Sequence, residues 1–291
     1  MQTTLSSGWI TVARGPWTPS QIVCSYIDSP IPIDPAVQER IATLKADRSH
    51  RFFNGLGYRL DDFVLPSHTD NALHLSLRPT DYFTMLATDN ALDEPLVIGG
   101  VSTTLRERYD IEADGMYLKP PEGIASLLGI TLQIVTSDNY GIFCKRSGTA
   151  THPHTMYASL GESCSRPEDE STPGVPDITK TALRGLHEEY GLSADASMIQ
   201  WAALGADVDS GQYNLVGLVQ LDMTLGEFAR YLDAGEDSWE REENHAALFT
   251  PDGIANFIDK TGPWTAFGIA TIQEALRARY GAVIHAATVM P

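Results

Sequence analysis

The nine residues Arg184-Gly185-Leu186-His187-Glu188-Glu189-Tyr190-Gly191-Leu192 are the densest chemistry in this chain. Glu188 and Glu189 are adjacent carboxylates in what reads as the last turn of a helix, and Gly191 closes it. Arg184 stands one turn before Glu188, in reach of its carboxylate. Hard oxygen donors suit Mg2+, which takes a few carboxylates and completes its shell with water and phosphate oxygens. Two glutamates at a helix C-terminus also oppose the helix dipole, a placement that a bound cation would relieve. The plainer account is a solvated acidic helix end with an ordinary Arg–Glu pair, and spacing alone leans that way. Gly185 shares a stripe with Glu188 and Glu189, so a third carboxylate is missing where it would complete the set.

These side chains need a helix and a sheet to hold them. Asp177 is a good N-cap for a helix over 178–190, whose Ile178, Ala182, Leu183, Leu186 and Tyr190 gather on one face. Packed on a sheet, that helix would carry its acidic stripe at the rim of the buried surface. Strands read over 127–136 and 142–146, joined by a turn at 137–141. The second ends in Lys145-Arg146, two cations that either meet an anion or protect a sheet edge. A strand over 156–160 runs into Gly161-Glu162. The stretch 163–176 reads as a proline- and serine-rich loop whose Glu168-Asp169-Glu170 triplet is a solvated surface feature. A strand over 214–221, a helix over 225–232 capped by Thr224, a short last strand at 246–249 and helices over 254–258 and 266–280 follow. Between them, Asp237 to Glu242 reads as a loop, either solvated and anchored by Trp239 or presenting Glu240 to a site.

The N-terminal part, 1–118, is expected to be a smaller α+β domain. It shows strands at 9–13, 21–26 and 72–77, a helix over 35–46 capped by Asp34, and a turn or short helix opening at 80–83. His50, His68 and His74 are isolated and read as structural or surface residues. Lys119-Pro120-Pro121-Glu122-Gly123 disfavours helix and sheet and marks the linker, with the second domain over 124–291.

Composition narrows the function. With 43% hydrophobic and 20% charged residues the chain can build a core. No apolar run approaches a membrane span of roughly 18 residues, and the N-terminus lacks the pattern of a signal peptide. Cys24, Cys144 and Cys164 are widely spaced and odd in number, which points to a reducing compartment, the cytoplasm. A net charge of -18 repels duplex nucleic acid. A small anionic metabolite remains compatible, because a metal ion reverses the local field.

The window resembles the Nudix hydrolase family, whose signature is G-x5-E-x7-R-E-U-x-E-E-x-G-U with U bulky and aliphatic. Arg184, Leu186, Glu188, Glu189, Gly191 and Leu192 match its second half, and Gly161, followed by Glu162, stands for the opening glycine. The resemblance covers roughly residues 124–285. It implies an α/β (α+β) fold with a mixed sheet sandwiched between helices. It also implies a Mg2+- or Mn2+-dependent pyrophosphohydrolase, an acid anhydride hydrolase acting on a nucleoside diphosphate linked to another group. Under it Glu162, Glu188 and Glu189 become metal ligands, and Arg184 orients them. Glu240 becomes the candidate general base, with Glu242 or Glu243 behind it, while Lys145 and Arg146 meet phosphate charge. Two departures stand out. Gly185 replaces a glutamate of the signature, and Gly161 to Arg184 spans 23 positions where the signature has about 14. The signature's loop glutamate falls on Pro167 or Pro176, and Glu162, or one of Glu168, Asp169 and Glu170, could substitute for it. These departures motivate an alternative: a non-catalytic, nucleotide-binding sensor or interaction module. A prenyl diphosphate isomerase on the same scaffold would need Cys164 and a glutamate facing one pocket. The N-terminal segment could supply specificity, cover the site or mediate a homodimer.

Overall fold

The computed structural model describes residues 8–47, 54–111, 119–149, 152–232 and 234–281. The chain opens with β1 (Trp9–Trp17), β2 (Ile22–Tyr26), α1 (Pro35–Ala46), β3 (Leu56–Val64), β4 (Leu73–Asp81) and α2 (Tyr82–Ala87). A small ribbon, β5 (Leu96–Ile98) and β6 (Val101–Thr103), leads to α3 (Leu105–Arg108). Then come β7 (Leu128–Val135), β8 (Tyr140–Arg146), β9 (Met156–Tyr157) and β10 (Leu160–Ser163). A second ribbon, β11 (Glu170–Thr172) and β12 (Val175–Pro176), precedes α4 (Ile178–Tyr190). The chain closes with β13 (Ile199–Asp207), β14 (Tyr213–Gln220), α5 (Leu225–Phe228), β15 (Arg241–Leu248), α6 (Pro251–Ile258) and α7 (Ala266–Tyr280).

The main sheet has eight strands, with the path β1-β13-β14-β7-β8-β15 and with β10 and β9 pairing β7 and β8. It is mixed: β14 and β7 are parallel, and the other pairs are antiparallel. One face buries Ile130, Leu132, Ile134 and Leu215 against Ile178, Ala182, Leu186 and Tyr190 of α4. The opposite face buries Val216 and Leu218 against Phe267, Ala270 and Ile272 of α7. A large mixed sheet between helices, the expected fold class, is what the chain forms. Removing Leu186 from water contributes roughly 1.5–3 kcal/mol, which is why the apolar stripe, rather than the helix's own propensity, fixes α4 on the sheet.

The smaller sheet, β2-β4-β3, packs Leu73, Leu75 and Leu77 against Val37 and Ile41 of α1. β1, expected with the N-terminal segment, instead forms the outer strand of the main sheet beside β13, and Glu274 of α7 ties it down by pairing with Arg14 and accepting a hydrogen bond from Thr11 Oγ1. The division at 119–123 is therefore crossed by the first strand. β15 also differs from expectation, because it begins at Arg241 rather than at 246. As an edge strand it tolerates Glu242 and Glu243, which pair with Lys145 of β8, so its charge hides its conformation. The 163–176 stretch holds the β11–β12 ribbon instead of a plain loop. His74 pairs with Asp70 at the surface, and His50 lies outside the described residues. Among the described residues no helix is long and apolar enough to cross a membrane.

Candidate active site

Helix α4 delivers the acidic stripe because both of its ends are fixed. Asp177 accepts hydrogen bonds from the backbone N–H of Thr179 and Lys180 at 3.0 and 3.3 Å. Gly191 ends the helix in the left-handed conformation (φ 66°), with its N–H donating to His187 O at 2.7 Å.

Arg184 is the hub. Its Nη1 donates to Glu188 Oε2 at 2.6 Å and to Glu162 Oε2 at 3.0 Å. Its Nε donates to Asp169 Oδ1 at 2.9 Å, and its Nη2 to Asp169 Oδ2 at 3.1 Å and to Ser163 O at 3.0 Å. One guanidinium thus gathers three carboxylates from β10, the following loop and α4. Asp169 was expected at a solvated surface, yet it is 1% exposed and also accepts from Thr181 Oγ1 and Ser165 N. Burial alone would lower the Arg184 pKa; the Asp169 hydrogen bonds and the charges of Glu162 and Glu188 outweigh it and hold the guanidinium charged.

Glu189 points elsewhere. It is buried, and Arg241 Nη1 donates to its Oε2 at 2.9 Å while Nη2 donates to the Glu189 and Leu232 carbonyls at 2.6 and 2.8 Å. The Arg241 guanidinium also lies 4.1 Å from the centroid of the Tyr190 ring. Adjacent helical residues are about 100° apart, so Glu188 and Glu189 reach different arginines. The two remain coupled through Glu162. Desolvation pushes the Glu162 carboxyl up to about 8; Arg184 opposes that shift, and the charges of Glu189 and Glu188 add to it. Burial pushes Glu189 up to about 7, with Arg241 opposing.

Gly185 explains how Glu162 fits. A Cβ on residue 185 would lie 2.5 Å from Glu162 Cγ and 3.0 Å from Leu160 Cδ1. The side chain of Glu162 therefore fills the space beside position 185, and a carboxylate absent from the helix enters from β10.

A cleft of about 120 Å³ opens beside this cluster. Arg146, His152, Tyr157 and Glu162 line it together with Tyr82 and Met85 of α2, so both parts of the chain build its walls. Of the three glutamates, Glu162 is the one on the cleft wall, with 17% of its side chain exposed. Arg146 pairs with Glu240 at 3.0 Å and lies 5.2 Å from the Tyr157 ring centroid, whereas Lys145 faces Glu242 and Glu243 at 3.5 and 3.4 Å on the β8–β15 surface. Arg146 thus reaches the cleft, and Lys145 is engaged outside it. Cys164 is fully buried, and burial raises its thiol pKa, which leaves it no role as an acid or nucleophile in a pocket. Sequence reasoning misses Arg241, and it names Asp169 only as one of three acidic loop residues, without its contact to Arg184. Arg241 sits in an acidic run that reads as a loop, and nothing local separates Asp169 from Glu168 and Glu170.

The chain is thus a mixed α+β protein with an arginine-centred carboxylate cluster where β10 meets the C-terminal half of α4. No protein-family profile matches the sequence, and no curated protein matches it. Among solved structures it is similar to the DR0079 protein of Deinococcus radiodurans, with 14% identity over 53% of this chain and 83% of that one and a TM-score of 0.37. It is also similar to a MutT/nudix family protein from Enterococcus faecalis, with 15% identity over 49% of each chain and a TM-score of 0.30. Neither likeness assigns an activity.

Proposed function

We propose that this chain is a divalent-cation-dependent, Nudix-type hydrolase of a nucleoside diphosphate linked to another group. The observation that carries the reading is the contact between Gly185 and Glu162, which returns a third carboxylate to a cluster that lacks one on the helix. Among the described residues no three acidic, histidine or cysteine side chains converge as a metal-holding group, so the cation rests on donor chemistry alone: Glu162, Glu188 and Glu189 are hard oxygen donors of the kind Mg2+ or Mn2+ takes. Each gives Oε2 to an arginine and keeps an Oε1 that accepts no hydrogen bond among the described residues. Glu162 and Glu188, which meet at Arg184, would hold the cation, while Glu189 is engaged by Arg241. When bound, the cation neutralises phosphate charge and lowers the pKa of water.

The chain's own residues supply the rest. Arg184 and Arg241 hold the carboxylates in place, which is the positioning that phosphoryl chemistry depends on. Arg146 meets phosphate charge at the cleft. Glu240, whose Oε2 is taken by Arg146, offers Oε1 to accept a proton. The substrate class follows from the resemblance and from a cleft that joins a cation, Arg146, to the aromatic rings of Tyr82 and Tyr157.

A second reading is a catalytically silent nucleotide-binding module. It is favoured by the arginines that already pair with all three carboxylates. Purified protein with Mg2+ is assayed against a panel of nucleoside diphosphate derivatives. Hydrolysis that Glu162→Gln and Glu188→Gln abolish supports the enzyme. Thermal stabilisation by a nucleotide without turnover overturns it in favour of the silent module, and no effect of any nucleotide or metal overturns both.

A further inference from the structure

The nine or so extra residues between Gly161 and Arg184 connect the cluster to the N-terminal sheet. Residues 164–166 lie along the edge strand β3: Gly57 bridges Ser165 in antiparallel fashion, Tyr58 N–H donates to Cys164 O at 3.2 Å, and Arg166 N–H donates to Leu56 O at 3.1 Å. Side chains reinforce the backbone. The Arg166 guanidinium lies 4.8 Å from the Tyr26 ring centroid and 5.5 Å from that of Tyr58, and the two rings meet edge to face at 5.7 Å. Glu170 completes the clamp. Its Oε1 accepts from Tyr58 Oη at 2.7 Å and sits 3.6 Å from Arg166 Nε, while its backbone oxygen accepts from Lys180 Nζ at 2.6 Å.

Asp169 lies between these two anchors, and it is the residue that fixes the Arg184 guanidinium through two hydrogen bonds. We infer that Arg166 and Glu170 are positioning residues through which the N-terminal β2-β4-β3 sheet sets Arg184, and with it Glu162 and Glu188. The lengthened loop is a strut. The cluster is then not a property of residues 124–291 alone, because the surface that orders its loop belongs to Tyr26 and Tyr58.

The physical reason is local stability. A connection of about 14 residues can be held by its ends, whereas a longer one opens locally unless its middle is packed. Two cation–π contacts and a hydrogen bond from a fully buried tyrosine provide that packing. A surface-only role for the triplet Glu168-Asp169-Glu170 would leave Arg184 indifferent to Arg166.

The test follows the Arg184 Nε–H signal by nitrogen-15 NMR in the full chain, with Arg166→Ala, Arg166→Lys and Tyr58→Phe as variants. This proton donates to Asp169, so its exchange with water reports the strut directly. The expected result is exchange about tenfold faster in Arg166→Ala. A smaller acceleration is expected in Tyr58→Phe, with partial rescue in Arg166→Lys and an unchanged far-ultraviolet circular dichroism spectrum. An unchanged Arg184 signal in folded Arg166→Ala overturns the inference. Should that variant not fold, Tyr58→Phe, which loses one hydroxyl, decides in the same way. The inference rests on the proposed hydrolase only for its kinetic arm, in which Arg166→Ala lowers kcat while KM is held. A moving Arg184 signal in a protein with no turnover leaves the strut standing and removes the hydrolase.

Discussion

Replacing Gly185 with alanine sets two opposed effects against each other. In a helix interior, alanine is favoured over glycine by about 1 kcal/mol. Against this, the new Cβ would sit 2.5 Å from Glu162 Cγ, 3.0 Å from Leu160 Cδ1 and 3.3 Å from Glu162 Cδ. Leu160 is 1% exposed and cannot retreat, so the Glu162 side chain must swing away and lose its 3.0 Å hydrogen bond from Arg184. A charge-assisted hydrogen bond plus modest overpacking costs about 2–3 kcal/mol. The net expectation is a destabilisation of about 1–2 kcal/mol, which lowers Tm by roughly 2–8 °C in a chain of this size. In a Glu162→Ala background the obstruction is gone, and Gly185→Ala should then stabilise by about 1 kcal/mol. The coupling between the two sites is therefore about 2–3 kcal/mol in a double-mutant cycle read from urea midpoints. If Gly185→Ala is equally stabilising in both backgrounds, Glu162 does not occupy that space in solution, and no third carboxylate stands beside the helix.

Glu162, Glu189 and Asp89 have folded pKa values raised by burial to about 8, 7 and 7. Such groups bind more protons folded than unfolded, so their contribution is complete at low pH and is lost as pH rises through the folded values. Stability should fall between pH 5.5 and 7.5 by up to about 1.4 kcal/mol per pH unit for each proton held, as read from urea unfolding, and a flat or rising profile refutes this. Glu170, whose pKa is lowered by the Gly174 backbone N–H and the Tyr58 hydroxyl, works in the opposite sense below about pH 4. Arg241→Met should cost about 3–5 kcal/mol because it leaves Glu189 buried without its partner. Adding Glu189→Leu should recover most of the loss, and equal instability of the single and double variants would show that Arg241 acts through its carbonyl contacts instead.

What could be read from sequence divides along local and long-range lines. The caps and apolar stripe of α4 were legible because Asp177, Ile178, Ala182, Leu186, Tyr190 and Gly191 act within one element. The Arg184–Glu188 pair was legible for the same reason. The contacts from Arg184 to Glu162 and Asp169 bridge 22 and 15 positions across a ribbon whose path no periodicity reveals. β13 was not recognised, because Trp201-Ala202-Ala203-Leu204-Gly205-Ala206 has few β-branched residues. It is a strand because Trp201, Ala203 and Leu204 are buried between β1 and β14, so packing overrides propensity. β1 joined the main sheet for a comparable reason: Trp9 and Trp17 find buried sites against it, which a segment boundary drawn from prolines could not anticipate.

The end of α4 shows how a helix can carry two glutamates against its own dipole. Glu188 takes its compensating charge from within the helix, through Arg184, and Glu189 takes it from β15, through Arg241. Arg184 is shared with Glu162 and Asp169 as well, so the two guanidinium groups face four carboxylates and every one of these is paired before any ligand arrives. A cation entering here has to add to the two guanidinium groups instead of replacing them, using the second oxygen of each carboxylate. On the proposed hydrolase reading the surplus of carboxylate would favour a cation, while Arg184 and Arg241, within a few ångströms, would weaken its hold until a ligand adds negative charge. A diphosphate brings such charge to a cleft whose wall holds Glu162 and Arg146. On that proposal the cluster would engage metal and phosphate together. Cation binding would then be coupled to substrate arrival, and while the cleft is empty the same two arginines keep the carboxylates ordered.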